Sequence, residues 1–506
     1  MFQVGRTRFW VQLLMLVCLL LLPNQLFSQT IYDSPDCDIR ALFSQDNAKY
    51  IIRYNHVFRD TLYIPDNCEL RFRGGSMAGP LVFNSTKLSG GVNLKGSSIK
   101  GVIKNKKFDA SWLCTKDGVT DDAKSINEII AVCSSVYFPK GTYRLISEYN
   151  PKGKVPKGYE SSIKAHIGIN KSNVSLIGED GCFFATNEET GTICCFSQPK
   201  AIDNSIKNLR IENITFTTDN DGKNYLGMTH TLKLIGVDGM HIKDCTFDNY
   251  WGDAICLSHY GDTPSTGERT LNQNFVITGN TIRGRGYNRN GISIVSGKNI
   301  LIKNNKLINT SRDDKPGGID IEPNNSAYTI ENIRIEKNTL KDIQGSGGAI
   351  CIVVDNDGPA HGIYVVGNTI SNSRNGLFIR VYTDNTTDNF VITNNTFDSK
   401  TPPFFFSGSG TSNNWVVRGN VFKKPNKKTI PGDIKVDNLE VRRNKSGILI
   451  PILIWGKSVW DTFVSFFCNL FQKVVASLKR WGEWLLDEMK RIFHKKENLS
   501  VVHNFN

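Results

Sequence analysis

The sequence predicts an all-β fold, a single-stranded right-handed parallel β-helix with a short N-terminal capping helix and a C-terminal amphipathic helix. Three observations predict it. A short phrase recurs along the second half of the chain, its copies are 25 to 35 residues apart, and the stretches between them carry strand alternation and turn residues rather than helical periodicity. The phrase reads IENITF at 211, IKDCTF at 242, ITGNTI at 277, IKNNKL at 302, IEKNTL at 335, VVGNTI at 365, ITNNTF at 392 and VRGNVF at 417. Its fourth positions are Ile214, Cys245, Asn280, Asn305, Asn338, Asn368, Asn395 and Asn420. Strands paired in neighbouring coils stand about 4.8 Å apart, so an Asn repeated at one turn can bond to backbone and to the Asn of the next coil, forming a ladder.

From the N-terminus, residues 1–28 have the order of a cleavable export signal. Arg6 and Arg8 precede an apolar run from Phe9 to Leu22, and Pro23 and Ser28 follow it. The run is shorter than the roughly 20 residues that span a bilayer. The chain is therefore expected to be exported across a bacterial inner membrane, to the periplasm, the cell surface or the medium. Residues 29–110 read as first, narrower coils, with LYIPDNCELRFRGG, LVFNSTKLSGG and VNLKGSSIKG as short strands. The main β-helix is placed at 111–425. Within it DGVTDDAKSINEIIAVCSSVYFPKGTY, from Asp117 to Tyr143, predicts a helix capped by Thr120 or Asp121 and running to about Cys133, followed by a strand and a Pro-Gly turn.

Residues 426–506 form a linker and a helical tail. ILIPILIW leads into Trp460, Phe463, Phe467, Leu470, Val474, Leu478, Trp481, Leu485 and Ile492 at helical spacing, with Lys473, Lys479, Arg480, Lys490 and Arg491 interleaved. Such a helix suits a membrane surface, through residues 448–493, and equally a cap over the open end of a solenoid. The formal net charge is +13, and the tail from 423 holds 16 Lys/Arg against 8 Asp/Glu. The β-helical body is thus nearly neutral, which gives no reason to expect nucleic acid. Twelve cysteines, one of them inside the signal, show no CxxC pair and no His-rich motif that would announce zinc; Cys37 with Cys68 is the pair to test for a disulfide.

The Asp117–Tyr143 stretch with the coils behind it resembles the pectate-lyase superfamily, whose opening motif is also seen in bacteriophage tailspikes and rhamnogalacturonase-like enzymes. The resemblance covers roughly residues 50–422. It implies a β-helix working on polysaccharide, as lyase, hydrolase, epimerase or non-catalytic binder, and it implies a structural role for Asp117, Asp121 and Asp122.

The second strands of the coils, HTLKLI from 230, DAICLS from 253, NGISIV from 290, GGIDIE from 317, GAICIV from 348 and NGLFIR from 375, register on their apolar positions. Leu232, Ile255, Ile292, Ile319, Ile350 and Leu377 point inward, so the residues between the inward columns point outward. Lys233, Cys256, Ser293, Asp320, Cys351 and Phe378 form one outward row, and Ile235, Ser258, Val295, Glu322, Val353 and Arg380 the next. This places Asp253, Asn290, Asp320 and Glu322 on neighbouring coils, flanked by Lys233 and Arg380. A hydrolase needs two carboxyls about 5–9.5 Å apart, which coil spacing supplies. A uronate lyase needs the substrate carboxylate neutralised, for which Ca²⁺ on Asn290, Asp320 and Glu322 is the candidate, and a base, for which Lys233, His230 or Arg380 would serve. His230 and His259 and the aromatics Tyr250, Trp251 and Tyr260 are candidates for holding sugar, the rings by stacking or else as core. Cys256 and Cys351 read as packing residues. The polygalacturonase branch carries Asn-Thr-Asp, Asp-Asp, Gly-His-Gly and Arg-Ile-Lys on successive coils. Here Met228-Thr229-His230, Gly252-Asp253, Asn290-Gly291 and Asp320-Ile321-Glu322 stand instead, keeping only Asp253 and exchanging two cations for carboxylates.

Overall fold

The computed structural model describes residues 29–446, apart from 152–153, 156–159, 188, 199–204, 224–226, 261–270, 324–327, 355–359, 383–385, 401–403, 409, 424–434, 438–439 and 443–444. The export signal at 1–28 and the tail at 448–493 lie outside the described residues. The described chain winds as a right-handed parallel β-helix whose coils contribute, in turn, a strand to each of three long parallel sheets. Among the described residues these sheets have 15, 12 and 9 strands, called here sheets 1, 2 and 3. One full coil runs from Gly297–Lys303 in sheet 1 through Lys306–Ile308 in sheet 2 to Gly317–Ile321 in sheet 3. The narrower coils of residues 30–103 form separate parallel sheets before it.

The recurring phrase is not one strand but the corner between sheets 1 and 2. At the corner one residue adopts positive φ: Asn213, Asp244, Gly279, Asn304, Lys337, Gly367, Asn394 and Gly419. Asn and Gly tolerate that backbone at least cost, which explains their abundance there. The next residue turns inward and builds the ladder. Asn280, Asn305, Asn338, Asn368 and Asn395 each donate both backbone N–H and Nδ2 to Oδ1 of the Asn one coil on, at 2.9–3.0 Å. Each Nδ2 also donates to a strand carbonyl. All these amides are buried and all are satisfied.

The predicted helix spans Ala123–Val132 and buries Ala123, Ile126, Ile129, Ile130 and Val132. It starts later than its caps suggested because Asp121 bonds forward instead: its Oδ1 accepts from the N–H of Ala123 and of Ile146. Asp117 accepts from Val119 and Thr120, and Asp122 from Thr115 and Lys116, so all three acidic residues are taken up by backbone amides. The helix lies across the start of sheet 3. Asn127 there donates to His166 O and accepts from Gly168 N, closing part of the exposed edge of strand Ala165–Ile169.

One expectation, the end of the coils at residue 425, is corrected. Strands Lys435–Asp437, Glu440–Arg442 and Lys445–Ser446 pair in register with the preceding coil, so the coils continue past residue 425. The ten described cysteines are free, Cys37 and Cys68 included. Cys68 is buried and its thiol donates to Gln45 O at 3.3 Å. Only Cys37 among the ten is not buried. Reduction is therefore expected to leave the melting temperature unchanged, and a thiol reagent to modify Cys37 among them in the native protein, as read by peptide mass mapping.

Candidate functional site

The register read from the sequence is the register of sheet 3. Leu232, Ile255, Ile292, Ile319, Ile350 and Leu377 are successive partners, as are Lys233, Cys256, Ser293, Asp320, Cys351 and Phe378. The outward face is not open to solvent as expected, however. Cys256, Ser293, Asp320 and Cys351 are buried, and Lys233 and Phe378 half-buried. At the N-terminal end the cover is visible. Outward Cys194 and Ile235 join Phe196, Val155, Ile163 and Tyr260, with Tyr149 against them, in an apolar cluster separate from the main core.

That cover corrects the aromatic assignments. Tyr260 is buried in this cluster and its hydroxyl donates to Ser197 O at 2.6 Å. Tyr250 belongs to the main core, and Trp251 is buried too. None of the three presents a face to a sugar. His259 is half-buried against Tyr328, with ring centroids 4.2 Å apart.

Beneath the face runs a polar chain that spans successive coils. Asp253, wholly buried, accepts the N–H of Asn290 on Oδ1 at 2.9 Å. Its Oδ2 lies 3.2 Å from both Arg289 Nη1 and His230 Nδ1. Asn290 donates through Nδ2 to Ser293 Oγ and to Asp320 Oδ2, each at 3.0 Å, and its Oδ1 accepts from Gly317 N. Arg289 Nη2 stands 4.0 Å from Glu322 Oε2. The structure thus joins His230, Asp253, Asn290, Asp320 and Glu322 into one constellation, with Arg289 as the bridge. Sequence reading missed Arg289, although its place beside Asn290 at a strand entrance facing Asp253 was the available signal.

The environment divides the carboxyls. Burial raises the Asp320 pKa well above the usual carboxylate range and the charge of Glu322 adds to this, while Arg289 opposes it. The Asp320 Oδ1 has no oxygen or nitrogen donor, and the Cys351 thiol is beside the carboxyl. Glu322 is partly exposed, its side chain 31% accessible. Burial lowers His230 to about 4 against the pull of Asp253. The Cys256 thiol is pushed up to about 12, chiefly by burial, which favours the neutral thiol over the thiolate in the metal-free residue.

Lys233 is half-buried between Cys194 and Cys256 in its column. Arg380, two coils beyond Glu322, lies over the rings of Phe378 and Tyr382 and donates to Tyr382 Oη at 3.0 Å. Of the residues expected to hold Ca²⁺, Asn290 Oδ1 accepts from Gly317 N, Asp320 is buried with its pKa raised, and Glu322 stands 4.0 Å from Arg289; these three side chains fall short of the six to eight oxygens that calcium takes.

No protein-family model matches the chain, and no curated protein does. Among solved structures it is similar to the tailspike protein of Acinetobacter baumannii phage AM24, at 12% identity and a TM-score of 0.41, covering 68% of this chain and 55% of that one. It is similar to PfbA, a surface adhesin of Streptococcus pneumoniae, at 12% identity and a TM-score of 0.40, covering 67% of this chain and 89% of that one. It is also similar to a family 28 exopolygalacturonase of Yersinia enterocolitica, at 12% identity and a TM-score of 0.31, covering 84% and 79%.

Proposed function

We propose that the chain is an exported protein that holds polysaccharide along sheet 3 and hydrolyses a glycosidic bond there, with Asp320 as general acid and Glu322 as the carboxylate that activates water or attacks the sugar. One observation carries this reading. Asp320 lies in strand Gly317–Ile321 and Glu322 directly follows that strand, two positions on and so on the same side; burial raises the pKa of the first, while the second is partly exposed beside Arg289. Glycosidases work with a pair of carboxyls about 5–9.5 Å apart, and side chains two positions apart along an extended chain leave it on the same side. Asp320 is buried, so the acid acts only if the partly exposed Arg289 and Glu322 part as substrate arrives.

Elimination is less well supported, because Asp320 is buried, Glu322 stands beside Arg289, and the three expected side chains fall short of the six to eight oxygens that calcium takes. Glycan binding without turnover is a second reading, favoured by the burial of both Asp253 and Asp320. The polysaccharide partner rests on the resemblance carried by Asp117–Tyr143 and the coils. Export, and contact of residues 448–493 with a membrane surface or with the open solenoid end, rest on the sequence.

The test is a polysaccharide panel incubated with the mature protein, with D320N and with E322Q, reading reducing ends and ultraviolet absorbance. Reducing ends without absorbance are expected, falling about 10²- to 10⁴-fold in either variant. The wild-type rate should decline as pH rises through the Asp320 titration. Stability gives an independent check. A carboxyl whose pKa is raised on folding costs stability as pH climbs above its unfolded value near 4. D320N should therefore be at least as stable as the wild type at pH 8. Binding with no new reducing ends on any glycan would overturn hydrolysis in favour of the second reading.

A further inference from the structure

We propose that His230, Asp253 and Cys256 form a zinc site, separate from the Asp320–Glu322 pair and bracing two consecutive coils at the floor of sheet 3. One donor atom from each residue lies within 4.8 Å of the others, and all three residues are buried. The fold makes the grouping. His230 and Asp253 sit side by side at the entrances of neighbouring strands, two residues before the paired Leu232 and Ile255, and Cys256 follows Asp253 by three on the outward face. Imidazole, carboxylate and thiol together suit a borderline ion such as Zn²⁺ and not a hard one such as Ca²⁺.

Two features of the geometry point to a cation. The 3.2 Å between His230 Nδ1 and Asp253 Oδ2 matches the edge of a tetrahedron whose corners lie about 2.0–2.1 Å from a central zinc, an edge of about 3.3 Å. Nδ1 also faces the Asp253 N–H, at 3.3 Å, so without a metal one nitrogen meets a donor and an acceptor together. A protonated Nδ1 opposes the N–H, and a bare one opposes the carboxylate. Nδ1 has one lone pair, so a cation on Nδ1 and Oδ2 replaces the long 3.3 Å contact with the Asp253 N–H and removes the conflict with the carboxylate. The Arg289 contact is compatible with this, since a carboxylate oxygen accepts twice; Arg289 and the Asn290 N–H hold Asp253 in orientation, as second neighbours of metal ligands do. Binding replaces the Cys256 thiol proton by the metal and releases that proton to solvent, and water completes the fourth position.

The full mature chain, stripped with chelator, is titrated with Co²⁺ and with Zn²⁺. One equivalent is expected, with a thiolate-to-cobalt absorption band that is lost in C256S, retained in C194S, and accompanied by at least tenfold weaker zinc binding in H230A. Absence of the band from the wild-type protein, or its survival in C256S, overturns the site. If C256S does not fold, X-ray absorption of the wild-type zinc form decides. One sulfur at about 2.3 Å with nitrogen and oxygen neighbours supports it. No sulfur, or more than one, overturns it.

Discussion

Replacing Arg289 with Met is expected to lower the unfolding free energy by about 3–5 kcal/mol, read as a shift of the urea midpoint at constant slope. Asp253 is wholly inaccessible to solvent, and Arg289 is the cation in contact with its Oδ2. The pair itself contributes little net stability, because desolvating two charges offsets most of their attraction. Removing one partner is different, since it leaves a fully buried carboxylate without its cation, held only by the Asn290 N–H and the neutral neighbours around it. R289K should recover only part of the loss, because an ammonium cannot reach towards Asp253 and Glu322 at once as the two guanidinium nitrogens do. The double variant R289M/D253N, with no charge left to strand, should be more stable than R289M alone. A change below about 0.5 kcal/mol in R289M, the usual range for surface substitutions, would show that water reaches Asp253.

Why this residue escaped sequence reading follows from what periodicity encodes. Alternation in HTLKLI through NGLFIR fixes which side chains face in, and the observed pairs of sheet 3 agree position by position. The ladder was legible for the same reason, since an interior Asn recurring once per coil can satisfy itself only against its neighbours. Periodicity says nothing of what lies over the outward face. Tyr149, Val155 and Ile163 cover Cys194 and Ile235 from dozens of residues away in sequence, and Tyr260 drops onto them from the turn after its own strand. Outward therefore did not mean exposed, and Tyr250, Trp251 and Tyr260 were open to both readings until burial settled them. Arg289, Asn290 and Asp253 meet through coil stacking, the charges of the ion pair being 36 positions apart in sequence. Counting charges within one strand finds Asp320 and Glu322 but not the cation above them. His230 and Cys256 likewise come from different coils, where no short ligand-spacing motif can reveal them.

Asn338→Ala, in the middle of the interior ladder, is expected to cost about 3–6 kcal/mol, while Asn299→Gly on the surface should cost less than about 1 kcal/mol. Both asparagines join a chain of side-chain hydrogen bonds. Asn299 donates to Asn274 Oδ1 and accepts from Asn332 Nδ2, with φ of 56°, but it is exposed, so water replaces both bonds and Gly keeps the backbone. Asn338 is buried. Its Nδ2 donates to Ile302 O and to Asn368 Oδ1, and its Oδ1 accepts both the backbone N–H and Nδ2 of Asn305. Truncation strands the Ile302 carbonyl and two Asn305 donors away from water, and each such group costs about 1–3 kcal/mol. Asn338→Asp should fare no better, because a carboxylate oxygen would then face the Ile302 carbonyl that Nδ2 now satisfies. Since each coil touches only its neighbours, the loss should appear in hydrogen exchange as faster opening of the coils around Asn305, Asn338 and Asn368, with the narrow coils of residues 30–103 unchanged. Equal costs at positions 338 and 299 would mean that ladder bonds stabilise by their number. The large difference expected here means that they stabilise because the interior offers these amides no other partner.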